Sequence, residues 1–401
     1  DTQEIIYEYV PKQGGNVIAK YVIKGTTTEL KASTNVSTGA QVGSEYTATA
    51  PQAGEVLKQG ELEYVLEGRK ADSAAETGKV TADTQEIIYE YVPKQGGNVI
   101  AKYVIKGTTT ELKASTNVST GAQVGSEYTA TAPQAGEVLK QGELEYVLEG
   151  RKADSAAETG KVTADTQEII YEYVPKQGGN VIAKYVIKGT TTELKASTNV
   201  STGAQVGSEY TATAPQAGEV LKQGELEYVL EGRKADSAAE AGKVTADTQE
   251  IIYEYVPKQG GNVIAKYVIK GTTTELKAST NVSTGAQVGS EYTATAPQAG
   301  EVLKQGELEY VLEGRKADSA AETGKVTADT QEIIYEYVPK QGGNVIAKYV
   351  IKGTTTELKA STNVSTGAQV GSEYTATAPQ AGEVLKQGEL EYVLEGRKAD
   401  S

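Results

Sequence analysis

The chain has 401 residues, a net charge of −15, and no cysteine, methionine, tryptophan, phenylalanine or histidine. Those absences remove the thiols, the commonest metal ligand and the usual neutral-pH general base, so no cofactor and no enzymatic role is expected. The acidic balance argues against a nucleic-acid partner. Tyrosine is the sole aromatic residue, so with valine, isoleucine and leucine it must build any core.

The twelve residues Asp-Thr-Gln-Glu-Ile-Ile-Tyr-Glu-Tyr-Val-Pro-Lys at Asp1–Lys12 return at Asp83, Asp165, Asp247 and Asp329, a period of 82. The intervening residues repeat as well; Ala241, where Thr77, Thr159 and Thr323 stand elsewhere, is the one difference. A fixed period of this size predicts an array of small units, each with its own core, in place of one large globule. Within a unit, acidic and basic side chains are interspersed, which reads as a solvated, self-repelling surface and a monomer. No run of eighteen apolar residues occurs, so no membrane insertion is expected. Targeting segments are expected outside these residues.

Taken in chain order, Ile5–Val10 alternates in β-branched and aromatic residues and predicts a strand. Pro11 and Gly14-Gly15 end it in a turn. Asn16–Lys24 resumes the period of two, with Val17, Ala19, Tyr21 and Ile23 on one face. Gly25-Thr26-Thr27 is a turn, and Glu29–Ser33 can return as its hairpin partner. Thr34–Ser44, rich in Ser, Thr, Asn and Gly, reads as a surface loop. Tyr46, Ala48 and Ala50 predict a short strand. In Gly54–Glu67, helical and strand spacing compete, but Gly60 and Gly68 leave too little length for a stable helix, which favours a strand with Leu62, Tyr64 and Leu66 on one face. Arg69–Gln85 holds one large apolar residue, Val80, and is either an exposed loop or a linker.

Several of these stretches resemble the tandem MucBP-like repeats, including the streptococcal high-identity repeats called SHIRT, of Gram-positive cell-wall-anchored adhesins. The resemblance is carried by Gly15-Asn16-Val17-Ile18-Ala19-Lys20-Tyr21-Val22 with Gly25, by Gly39 and Gly43-Ser44-Glu45-Tyr46, and by Gly78-Lys79-Val80-Thr81 leading to Ile87-Ile88-Tyr89-Glu90-Tyr91-Val92. It covers every unit, and the near-identity of neighbours is the SHIRT-like trait. It implies a mainly β fold, or a β-grasp-like α+β variant with at most one short helix per unit, in an elongated array. It also implies extracellular, cell-wall-anchored localisation and a stalk role, with adjacent repeats as partners. The alternative role is a weak adhesive module for mucin or another host glycoprotein or glycan. The frame it implies makes 1–12 the closing strand of a preceding repeat, followed by domains at 14–94, 96–176, 178–258 and 260–340 and a partial one at 342–401. The rival frame is 1–73, 83–155, 165–237, 247–319 and 329–401. Five units of ~30 Å diameter in line would reach ~150 Å, against a radius of gyration near ~22 Å for a single globule.

The candidate sites each have an ordinary reading beside the functional one, and no catalytic, cofactor or metal residue is assigned. Asn35, Asn117, Asn199, Asn281 and Asn363 match a glycosylation acceptor, which in a bacterial protein is chance. Glu61 and Glu63 could form a hydrolytic carboxylate pair but read as solvated. Lys20, Asn16 or Asn35, and Glu8 supply the residue types of an isopeptide crosslink but read as exposed residues. The tyrosines could stack on a ligand, but most are needed for the core.

Overall fold

The computed structural model describes residues 2–399. Every element among them is a β-strand, and no helix occurs, so the β-grasp-like variant with a short helix does not form. The first sheet contains β1 (Val17–Ile23), β2 (Glu29–Ser37), β4 (Val56–Gln59), β5 (Leu62–Arg69) and β7 (Gln85–Pro93), in the order β2-β1-β7-β5-β4. The short strands β3 (Glu45–Thr47) and β6 (Thr77–Lys79) form a separate antiparallel ladder.

β7, the last of these strands in chain order, lies in the centre of this sheet. It pairs parallel with β1 from Val17↔Gln85 to Ile23↔Tyr91 and antiparallel with β5 from Tyr64↔Pro93 to Arg69↔Tyr89. The alternation seen in the sequence places Ile87, Tyr89 and Tyr91 inward, each 1% exposed or less. Tyr21 stacks on Tyr89 with ring centroids 5.7 Å apart, and Val17, Ala19, Tyr46, Tyr64 and Val80 complete the core. Lys31 caps the pair, its ammonium 4.1 Å from the Tyr21 ring centroid.

Burying each large side chain contributes on the order of 2–5 kcal/mol. The first copy of the twelve-residue segment shows what happens without a sheet to join: residues 2–10 form no strand, and Ile5, Tyr7 and Tyr9 are 79%, 76% and 93% exposed. The strand expected at Ile5–Val10 is therefore absent there, although all four later copies form it.

Three further expectations need correction. Thr34–Ser37 extends β2 instead of opening a loop, because Thr34 and Asn35 pair across to Ala19 and Ile18 on an edge strand whose outer face is solvated and tolerates polar side chains. Tyr46 is in a strand, but Ala48 and Ala50 are not. Gly54–Glu67 contains a hairpin, β4 and β5 around Gly60, where one strand was expected.

By backbone contacts the chain divides into two compact units, residues 1–181 with 200–211 and 241–249, and residues 182–199, 212–240 and 250–401. The first holds the sheet already described and a second of the same strand order, Val99–Ile105 to Gln167–Pro175, with its own tyrosine cluster. The second holds most of a third such sheet and all of a fourth, Val263–Ile269 to Gln331–Pro339, with its cluster around Tyr335 and Tyr337. It also holds two separate hairpins, Val345–Val350 with Glu357–Ser365 and Val384–Gln387 with Leu390–Val393.

Candidate functional site: the connection between successive sheets

Gln123-Val124-Gly125-Ser126 is a tight turn. The Ser126 amide donates to the Gln123 carbonyl at 3.1 Å, and Gly125 occupies φ +92, which favours glycine at the third position of a type II turn. Gly125 N–H is bonded to Val162 O at 2.8 Å, tying the turn to the second repeat. Its other side meets the first repeat. Glu63 N–H donates to Val124 O at 3.0 Å, and the Gln123 side-chain amide donates to Glu63 O at 2.6 Å.

Lys94, just past β7, lies between the two. Its N–H donates to Glu63 O and its carbonyl accepts from Val124 N–H, both at 2.9 Å. Its ammonium is 2.8 Å from Glu63 Oε2, while Lys58 is 3.1 Å from Oε1. Lys94 first and then Lys58 hold the Glu63 carboxyl below its ordinary 4.5. Glu63 thus satisfies its backbone donor, its backbone acceptor twice, and both carboxylate oxygens at one point.

Two internal comparisons isolate the contact. Val42, whose turn has no sheet before it, is 36% exposed, whereas Val124 is 8% exposed. A Cβ on Gly43 would meet nothing within 4 Å, while one on Gly125 would lie 1.8 Å from Glu61 O. Identical sequences therefore differ only by docking. The bonds recur at Glu145 with Gln205 and Val206, at Glu227 with Gln287 and Val288, and at Glu309 with Gln369 and Val370.

A second feature is a cleft of about 290 Å³ in the fourth repeat, lined by Ala296, Pro297, Leu312, Arg315, Glu322 and Tyr335 among others. It opens at a bulge where pairing slips between Leu312 and Gly314. Tyr335 is 1% exposed and its hydroxyl has no partner within 3.5 Å, but Glu322 lies close enough to add to burial, and the two push its pKa up to about 12. Tyr337, by contrast, donates to Glu301 at 2.8 Å.

The sequence candidates fall apart in space. Asn35 and its copies lie exposed on an edge strand. Glu61 is exposed in the β4–β5 turn, and Glu63 is occupied by two lysines, so the carboxylates do not face one another as a pair. Lys20 is ion-paired with Glu86 at 2.6 Å, and Glu8 is exposed. Most tyrosines are core, as read. The docking roles of Lys94, Gln123, Val124 and Gly125 were not legible; the only signal was the glycine at Gly43 and its copies within the family-like step. Among the described residues no cluster of potential metal ligands occurs, and no helix is long and apolar enough to cross a membrane.

The MucBP domain family model matches residues 16–92, 98–174, 180–256 and 262–338, most of the chain, and the chain belongs to that family. A solved structure of Streptococcal High Identity Repeats in Tandem domains 3-4 from a cell surface protein is similar at 13% identity, covering 40% of this chain and 97% of that one, with a TM-score of 0.23. The comparison with curated proteins gave no match. The chain is a tandem repeat region of the surface-adhesin type, and its family is one of repeat domains of cell surface proteins, not of enzymes.

Proposed function

We propose that this chain is a spacer: a stalk of a cell-wall-anchored adhesin that holds a distal binding domain away from the cell surface. The observation that carries this reading is the docking of Gln123-Val124-Gly125 on Glu63, repeated at each successive connection. A bare tether needs no such contact, since flexible linkers gain reach from their lack of structure. A stalk that must hold length benefits from fixing each joint with backbone bonds, which depend little on side-chain identity.

The domains of this stalk run 14–94, 96–176, 178–258 and 260–340, with 342–401 partial and residues 2–12, which form no strand, outside them. The parallel pairing of β1 with β7 and the stacking of Tyr21 on Tyr89 support that frame over 1–73. Small-angle scattering on the chain tests the stalk. A maximum dimension on the order of 150 Å is expected from five ~30 Å units in line, and a globule-like radius of gyration near ~22 Å would refute it.

The second reading, that each repeat also binds a host glycoprotein or glycan, draws on the cleft beside Tyr335 with its unpartnered hydroxyl. Under it, affinity for a mucin-coated surface rises with repeat number. Silence of the chain on a glycan and glycoprotein screen would leave the spacer alone.

A further inference from the structure

The cleft in the fourth repeat holds one charge that the repeat itself does not answer. Ala296, Pro297 and Leu312 give it apolar walls, and Arg315, Glu322 and Tyr335 give it polar groups. The loop that carries Ala296 and Pro297 is held at both ends: the Ala294 amide donates to Glu322 O at 2.7 Å, and Glu301 O accepts from the Leu312 amide at 2.9 Å. A Cβ on Gly300 or Gly314, which also line the cleft, would meet nothing within 4 Å, so neither wall is closed by its own chain. The cleft is thus shaped before any ligand arrives.

Two of its three charged side chains are already engaged. Glu313 receives the Lys270 ammonium at 2.6 Å. Arg315 donates through one guanidinium nitrogen to the carbonyls of Lys316, Ser319 and Ala320 at 2.9, 2.7 and 3.3 Å. Glu322 has no cation within ion-pairing distance among the described residues. Close to it is the buried Tyr335 hydroxyl, itself without a partner within 3.5 Å. After burial, Glu322 is the main influence on that hydroxyl and raises its pKa, while Arg315 opposes it as the weakest, so the field there is negative. The arrangement recurs, with the unpartnered hydroxyls of Tyr89, Tyr171 and Tyr253 beside Glu76, Glu158 and Glu240.

We propose that this cleft takes the side chain of a lysine from a partner polypeptide. An ammonium carries three donors and no acceptor. The two carboxylate oxygens of Glu322 and the hydroxyl oxygen of Tyr335 supply three acceptors, while Ala296, Pro297 and Leu312 cover the methylene stem. A neutral hydroxyl in the same place would leave the Glu322 charge uncompensated, whereas a cation pairs with it. The net charge of −15 draws basic partners toward the chain and repels acidic ones. The inference rests on the second reading above, in which each repeat binds a host glycoprotein, and puts the contact on the polypeptide of that partner.

The test is fluorescence anisotropy of the intact chain with a labelled pentapeptide that has one lysine flanked by glycines, and with the same peptide carrying norleucine in place of lysine. The lysine peptide should bind, and the norleucine peptide should bind at least about tenfold more weakly. The Glu76→Gln/Glu158→Gln/Glu240→Gln/Glu322→Gln chain should lose at least about tenfold in affinity for the lysine peptide, with thermal unfolding unchanged. Equal binding of the two peptides overturns the proposal without recourse to any variant, and so does undiminished affinity in the glutamine chain. Displacement by n-butylamine as effective as by unlabelled peptide would assign the cleft to free amines and overturn the polypeptide partner. A chain that binds the lysine peptide but not a mucin-coated surface would strike the host-glycoprotein reading and leave the cleft assigned to lysine. Adhesion to mucin retained in full by the glutamine chain would keep that reading and overturn this assignment.

Discussion

Replacing Gly125 with alanine, alongside the same change at Gly43, separates docking from folding. Both glycines sit at φ +92, so both substitutions carry the same local strain, roughly 1–3 kcal/mol for a side chain in that region. Only at Gly125 does the new Cβ collide with a neighbour, 1.8 Å from Glu61 O and 2.4 Å from its carbonyl carbon. Backbone cannot yield by that distance, so the turn must lift off. What is then lost is the Glu63–Val124 backbone bond and the Gln123–Glu63 bond, each about 1 kcal/mol net, and the covering of about a quarter of the Val124 side chain, roughly 0.5 kcal/mol.

A loss of roughly 2–3 kcal/mol is expected at the joint, with both adjoining sheets intact. Hydrogen exchange at the Glu63 amide reads this directly, with slow exchange in the parent chain and in Gly43→Ala and exchange faster by on the order of 30- to 150-fold in Gly125→Ala. Glu391, the counterpart of Glu63 with no turn docked on it and a 58% exposed side chain, supplies the fast reference. Equal protection of Glu63 in the two variants would mean that the docked turn does not exist in solution.

Glu63 has a depressed pKa in the docked state, so its contribution is complete above the ordinary 4.5 and is lost as pH falls through the lower docked value. Exchange at the Glu63 amide should quicken on acidification through that window, and Glu63→Gln should flatten the dependence. Tyr89→Phe removes a buried hydroxyl that has no partner and should leave stability unchanged or raise it by up to about 1 kcal/mol, whereas Tyr91→Phe removes the bond to Glu55 and should lower it by about 1.5–3 kcal/mol, both read by denaturant titration. Val80→Ala should destabilise by roughly 1–3 kcal/mol in the same assay, because this valine of the polar run is 1% exposed, while Thr77→Ala on the exposed β6 should stay within about 0.5 kcal/mol.

The strand content was legible wherever alternation reflects one buried face. Val17, Ala19 and Tyr21, and likewise Ile87, Tyr89 and Tyr91, announce their inward side in their spacing. Thr34 and Asn35 did not, since an edge strand wetted on one face has no apolar pattern to offer. Nor did alternation say which strands are neighbours: that β7 pairs with β1 is fixed by tertiary packing. The docking site was still less visible. Gly43 and Gly125 have the same surrounding sequence and the same φ, and differ only in whether a preceding sheet is present. A property belonging to two successive units cannot be read from the residues of one.

The parallel pairing of β1 with β7 decides how tension would travel along this chain. Each complete repeat is entered at the start of β1 and left at the end of β7, which lie at opposite ends of the same pair of neighbouring strands. A pull on the polypeptide therefore slides the two strands lengthwise and strains the rungs from Val17↔Gln85 to Ile23↔Tyr91 together, instead of unzipping them one by one. Force spectroscopy should record high, evenly spaced rupture events from the four complete repeats, while the open hairpins at 345–393 give way first at low load. The fold thus resists a pull applied through the two ends of a repeat by loading all the rungs between its first and last strands at once.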